Sequence, residues 1–174
     1  ATPKNEAGNR LLADHVLSLG YDVFEGNEAD VLDRYYQAAL SRQPDEVVRI
    51  TGDCPLVDPR IVDTIIELRR MHAVDYASNI RPPTYPDGLD VEVFTFDALE
   101  RSAREATSTR DREHVTLFIR ESGLFTTCNH AVEGDLSGER WTVDEAADLD
   151  VVEAVFRHFH PRTDFSWEEV AALR

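Results

Sequence analysis

Glu46-Val47-Val48-Arg49-Ile50-Thr51-Gly52-Asp53-Cys54-Pro55-Leu56-Val57-Asp58-Pro59 reads as a strand, a sharp turn and a helix start. The apolar, β-branched run over residues 46–50 predicts a buried strand. Gly52 supplies the backbone freedom for the turn. Asp58 is placed to cap a helix whose first position is Pro59. Asp53 therefore stands at the carboxyl end of a strand, where ligand sites collect in α/β sheets.

Outward from this segment, helical and strand patterns alternate. Upstream, residues 5–19 are predicted as a helix with Leu12, Val16 and Leu19 on its inner face, ended by Gly20. A short strand over 21–24 follows, then a helix over 29–42 that turns Leu32, Tyr35, Tyr36 and Ala39 to the core. Downstream come a helix over 59–71 with Ile61, Ile65 and Leu68 inward and a strand over 74–78. Pro82-Pro83 and Pro86-Asp87-Gly88 punctuate a loop before an alternating strand over 89–95. Helices over 96–105 and 112–121 and strands over 124–132 and 140–143 come next. A helix over 145–159 carries Leu149, Val152, Phe156 and Phe159 at helical spacing, and a tail helix begins at Ser166. This order predicts an α/β fold, a mostly parallel sheet with helices on both faces, built as one domain over residues 1–174.

Composition narrows the function classes. The 18 basic and 34 acidic residues leave a net charge of −16, which repels a nucleic-acid backbone and disfavours DNA or RNA as a partner. A polyanionic ligand needs a metal ion and a local basic loop against that field. No apolar run exceeds four residues, so neither a membrane span nor a signal peptide is predicted. Cys54 and Cys128 form neither a disulfide framework nor a CxxC pair, and a reducing cytoplasm is the expected compartment. The chain opens Ala1-Thr2-Pro3 without an initiator methionine, as a processed chain or a fragment would.

Asp144, in Arg140-Trp141-Thr142-Val143-Asp144-Glu145, repeats the setting of Asp53: after a predicted strand and before a predicted helix. Two such acids, distant in sequence, could hold one hard divalent cation between them. Each also has a local reading, an Asx-turn for Asp53 and an N-cap for Asp144. Asp90 and Glu92 share one face of their predicted strand, opposite Leu89, Val91 and Val93. That face meets either solvent or a hydroxyl-rich ligand such as a sugar. Arg110-Asp111-Arg112-Glu113-His114 opens a helix as a charge cluster, either solvated or delivering His114 to a site. Asp148-Leu149-Asp150 has the spacing of a DxD metal motif but falls inside an amphipathic helix and reads as exposed surface. His158-x-His160 reads as a solvated helix end. No Walker A loop, HExxH motif or Ser-His-Asp order is present.

Val31-Leu32-Asp33-Arg34-Tyr35-Tyr36-Gln37-Ala38-Ala39, the run from Val48 to Pro59, and Tyr85-Pro86-Asp87-Gly88-Leu89-Asp90-Val91-Glu92-Val93-Phe94 resemble the cytidylyltransferases of the SpsF type. Arg112-Glu113-His114-Val115-Thr116 and Arg140-Trp141-Thr142-Val143-Asp144 continue the resemblance, in order, across nearly the whole chain. These enzymes are similar to the acylneuraminate and 3-deoxy-manno-octulosonate cytidylyltransferases. The resemblance implies a Rossmann-like nucleotide-diphospho-sugar transferase fold. It implies transfer of CMP from CTP to a sugar or sugar acid, with release of pyrophosphate, for surface polysaccharide or other glycan. It also implies Mg2+ on Asp53 and Asp144, and an acceptor near Asn79, Asp87, Asp90, Glu92, Arg112, Glu113 and His114. A homodimer is the expected assembly, without membrane or nucleic acid.

Members of that family begin with a strand and a basic loop of the type Gln-Ala-Arg-x-x-Ser-x-Arg-x-Pro-x-Lys, which this sequence lacks. A segment on the order of 60 residues, about two βα units, is the expected difference. The chain alone is then expected to be weak or inactive. The rival expectations are a metal-dependent glycosyltransferase of the same fold and a non-catalytic sugar-binding or assembly domain.

Overall fold

The computed structural model describes residues 1–4 and 7–173. Along them run β1 (Thr2–Pro3), α1 (Ala7–Ser18), β2 (Glu25–Gly26), α2 (Val31–Leu40), β3 (Glu46–Arg49), α3 (Pro59–His72) and β4 (Tyr76–Ser78). There follow β5 (Glu92–Thr95), α4 (Phe96–Glu105), α5 (Thr109–Glu113), α6 (Leu117–Glu121), β6 (Thr127–Asn129), α7 (Ala146–Phe159) and α8 (Trp167–Ala171). One sheet has the order β3-β5-β4-β6, and β1 and β2 form a separate parallel pair. Strand β6 runs parallel to β4, with Tyr76 opposite Thr127. The predicted α/β class, with parallel pairing, is what the chain adopts.

The chain divides into two compact units, Ala1–Val47 with Phe94–Thr126, and Val48–Val93 with Thr127–Arg174. In the first, α2 packs on α4 and α5. Asp30 caps α2 by accepting from the Asp33 amide at 2.9 Å, and Leu32, Leu99 and Val115 are fully buried. In the second, Asp58 starts α3 as its spacing predicts, accepting from the Arg60 amide at 2.8 Å. Its other oxygen accepts from the Trp167 amide at 2.9 Å and so ties α8 to the start of α3. Ile61 and Ile65, one turn apart, enter a core with Leu56, Ala77, Leu89, Val91, Trp141 and Val152. Truncating Ile65 to alanine there costs about 2–5 kcal/mol.

The structure departs from the sequence reading where periodicity was the only guide. Residues 5 and 6 of the first predicted helix lie outside the described residues; Leu12 in α1 and Leu19 just beyond its end are exposed rather than inward. An apolar stripe says that a face can be buried, not what covers it. The strand predicted over 21–24 falls instead at Glu25–Gly26, because Thr2 pairs opposite Glu25. The helix predicted over 112–121 breaks into α5 and α6 at Val115, whose φ of 47° lies in the left-handed region that a β-branched residue rarely enters. The strand over 124–132 shrinks to Thr127–Asn129.

Residues 140–143 form no strand. Their backbone is divided between two loops: the Trp141 amide donates to the Asp87 carbonyl at 2.7 Å, and the Val143 amide to the Asp53 carbonyl at 2.8 Å. Residues 89–91, read as strand, precede β5 because a side chain replaces the ladder. Asn79 Nδ2 donates to the Leu89 carbonyl at 2.8 Å, and the Val91 amide donates to Asn79 Oδ1 at 2.9 Å. In α7 the buried stripe is Val152 and Val155, with Phe159 partly buried, whereas Leu149 and Phe156 are exposed.

Candidate functional site

Asp53 follows β3 on a turn with its side chain toward solvent; Gly52 beside it has neither a left-handed φ nor a close neighbour, so the turn does not require glycine there. Burial pushes the Asp53 pKa up, but hydrogen bonds from the Thr51 hydroxyl, its own amide and the Cys54 thiol outweigh that, with help from the Arg49 charge. The carboxyl rests below its ordinary range and is ionised. Cys54 beside it is buried, and its pKa is pushed up to about 11 by that burial, so the thiol stays protonated and is no nucleophile. The Asp53 carbonyl accepts from both the Val143 amide at 2.8 Å and Thr142 Oγ1 at 3.1 Å. Two segments ninety residues apart are thereby fastened side by side, about one residue short of Asp144.

Asp144 is not the cap of α7. The N-cap is Glu145, and Asp148 accepts from the amides of both Asp144 and Glu145, at 3.0 and 2.9 Å. Arg140 holds this group of acids: its Nη2 lies 2.6 Å from Asp144 Oδ2, and it grips both oxygens of Asp148 at 3.0 Å. The same guanidinium stands 4.0 Å from Asp87. The Arg140 hydrogen bonds, joined by the two amides, pull the Asp148 pKa far below the carboxylate range, and Asp148 and Asp144 raise that of Arg140. Asp148, read from sequence as bare surface, is the hub that fixes both Arg140 and the turn into α7. The signal for it was its position three residues after Glu145, the spacing of a capping box.

A cleft of about 390 Å³ opens beside these segments, lined by Ile80, Pro83, Tyr85, Asp87, Asp90 and Ser137. Its loop is tightly pinned. Gly88 has φ of 109°, and a Cβ there would stand 2.6 Å from the Trp141 backbone carbon. Asp87 pairs across to Arg140 as an isolated bridge. Asp90 is partly buried, and burial, followed by the charges of Asp87 and Glu92, pushes its pKa up to about 6.

The remaining sequence candidates each have a local setting of their own. Asn79 is buried with both ends of its amide on the backbone of residues 89 and 91. Glu92 is buried against Arg49 and accepts from the Tyr76 hydroxyl at 2.7 Å. Arg112, in the first unit, binds Asp30 at 2.6 Å and the carbonyls of Ala103 and Ala106. Glu113 and His114, also in that unit, are exposed. The second unit thus gathers Asp53, Asp87, Asp90 and Asp144. Among the described residues no group of three or more His, Cys, Asp or Glu side chains has the geometry of a metal cage. No helix among them is long and apolar enough to cross a membrane.

Comparison with known proteins agrees with this architecture. Residues 10–160 match the family model of the cytidylyltransferases. The chain is 39% identical over 145 residues to an uncharacterized protein of Methanocaldococcus jannaschii, covering 82% of this chain and 58% of that one. It is 30% identical over 167 residues to the spore coat polysaccharide biosynthesis protein SpsF of Bacillus subtilis, covering 94% and 68%. A cytidylyltransferase structure from Leptospira borgpetersenii superposes with a TM-score of 0.91 at 26% identity, over 99% of this chain and 73% of that one. The chain therefore spans about six-tenths to two-thirds of the curated relatives it matches.

Proposed function

Since the chain belongs to the cytidylyltransferase family, we propose that it serves the Mg2+-dependent transfer of CMP from CTP to a sugar or sugar acid, releasing pyrophosphate, in the synthesis of surface polysaccharide or another glycan. The observation that carries this reading is the backbone tie from Asp53 to Thr142 and Val143, which sets the Asp53 and Asp144 segments together at the end of β3.

The donor set suits a hard cation that keeps most of its waters and takes one or two carboxylates. Asp53 is ionised and exposed. Asp144 is exposed, and its Oδ1 carries no hydrogen bond among the described residues while Oδ2 is held by Arg140. Asp53 and Asp144 would hold the ion, which when bound offsets charge on phosphate oxygens. Arg140 keeps Asp144 oriented and returns positive charge to a region otherwise crowded with acids. Asp148 keeps Arg140 in place. The acceptor oxygen forms its bond to the α-phosphorus as the α–β bridging bond breaks, the electron pair leaves with pyrophosphate, and the acceptor proton passes to solvent. The turn at Gly52 and the pinned loop at Gly88 hold the protein groups still during that exchange.

Calorimetry with CTP and Mg2+, on the protein that carries this chain, tests the reading. Asp53→Ala and Asp144→Ala are each expected to weaken Mg2+-dependent CTP binding by about tenfold or more, roughly 1.4 kcal/mol. Both side chains are exposed, so thermal melting should change little. Undiminished Mg2+-dependent binding in both variants would overturn the assignment of the metal.

A further inference from the structure

We propose that Asp148 is a positioning residue that protects Asp144 from Arg140. By taking the guanidinium fork onto itself, Asp148 keeps Arg140 from closing over both oxygens of Asp144 and leaves Asp144 Oδ1 open to a cation. The consequence for the metal rests on the cytidylyltransferase reading; the competition of two carboxylates for Arg140 does not.

Asp148 and Asp144 meet the one guanidinium on unequal terms. Arg140 Nε donates to Asp148 Oδ1 and Nη2 to Asp148 Oδ2, both at 3.0 Å, so one edge of the fork is matched to both oxygens of that carboxylate. Asp144 receives only a share of the same Nη2, at 2.6 Å on its Oδ2. The other terminal nitrogen, Nη1, stands 4.0 Å from Asp87, beyond hydrogen-bond reach. Asp148 is also the fixed member of the pair. Its side chain is 14% exposed against 55% for Asp144. Its Oδ2 accepts from the amides of Asp144 and Glu145 at 3.0 and 2.9 Å, which anchors the charge in the first turn of α7. A planar fork matched to an anchored, poorly hydrated carboxylate stays with it.

Without that charge, the nearest anion to the freed edge is Asp144, already in contact. Arg140 then pairs with both its oxygens, and a divalent ion must displace a bidentate guanidinium instead of binding an open oxygen. The influence of Asp148 on the metal therefore runs through Arg140. If Asp148 served only to hold the turn into α7, it would act on Asp144 whether or not Arg140 were present.

A double-mutant cycle separates the two roles, on the protein that carries this chain. It is read as broadening of the Asp53 and Asp144 amide signals by paramagnetic Mn2+, without CTP. Mn2+ shares the preference of Mg2+ for carboxylate oxygen. Asp148→Asn keeps an oxygen for the two amides and turns an NH2 group toward Arg140. It should weaken Mn2+ binding about tenfold in the parent protein, but by no more than about threefold in the Arg140→Gln background. Equal weakening in both backgrounds, or none in either, overturns the proposal. The crystal structure of Asp148→Asn gives a reading that needs no metal. Arg140 on both oxygens of Asp144 supports the proposal, and Arg140 on one oxygen or none overturns it. If Mn2+ leaves the Asp53 and Asp144 amides of the parent protein sharp, the metal assignment falls, and the crystal structure still decides the competition for Arg140.

Discussion

Asp90 precedes β5 and Glu92 opens it, two residues apart, yet one lies at the mouth of a cleft and the other in the interior. Glu92 is 2% exposed, paired with Arg49 and bonded by the buried Tyr76 hydroxyl. Asp90 has no hydrogen bond or ion pair of that kind among the described residues; burial and the charges of Asp87 and Glu92 raise its pKa, and the Arg49 charge offsets them only in part. The comparison teaches that alternation along a strand assigns faces, while the charge available on each neighbour decides whether a carboxylate is structural or open to ligand.

The largest expected effect breaks the interior member. Glu92→Ala leaves Arg49 and the Tyr76 hydroxyl without their carboxylate, and should cost about 3 kcal/mol, the lower end for a broken buried pair because Arg49 keeps some solvent contact. Urea denaturation of the variant measures it; a loss under about 1 kcal/mol would make Glu92 no more structural than Asp90. Glu92→Gln, which retains an acceptor for Tyr76, should lie between the two.

A smaller effect comes from the loop that joins the two regions. Gly88→Ala combines a positive φ with a Cβ driven into the Trp141 backbone, and should cost about 2 kcal/mol. If the two regions are as separate as their partners suggest, the cleft amides of Ile80 and Ser137 should shift in this variant while the Tyr76 environment in the sheet does not. Spectral change spread evenly over both would contradict that separation.

Much of this contrast lay beyond reading in the sequence. The capped helix at Asp58-Pro59 was legible because proline and capping residues act on their own neighbours. The boundary before α7 was legible for the same reason, although its cap is Glu145 and not Asp144. Glu92 was not, since its fate rests on Arg49 and Tyr76, 43 and 16 residues away. Asn79 escaped too, because nothing in a loop sequence announces that a side-chain amide will stand in for a strand ladder ten residues on. The 140–143 segment was misread as a strand because extended backbone that pairs with two loops has the same composition as a strand.

The smallest effect sharpens the cleft member through pH. The Asp90 pKa is raised in the fold to about 6, against about 3.9 unfolded. A raised carboxyl means that the folded state holds the proton more tightly, so ionising Asp90 costs stability. That cost is absent below about pH 4, grows between pH 4 and 6, and is fully present above 6. Asp90→Asn removes it and should therefore match the parent protein near pH 4 and exceed it at pH 7. The side chain is part-exposed, so solvent screening limits the gain to on the order of 1 kcal/mol. Thermal melts of both proteins from pH 4 to 8 decide the point. A stability difference independent of pH would mean that Asp90 finds a compensating partner after all, and the cleft would then be no more electronegative than the interior around Glu92.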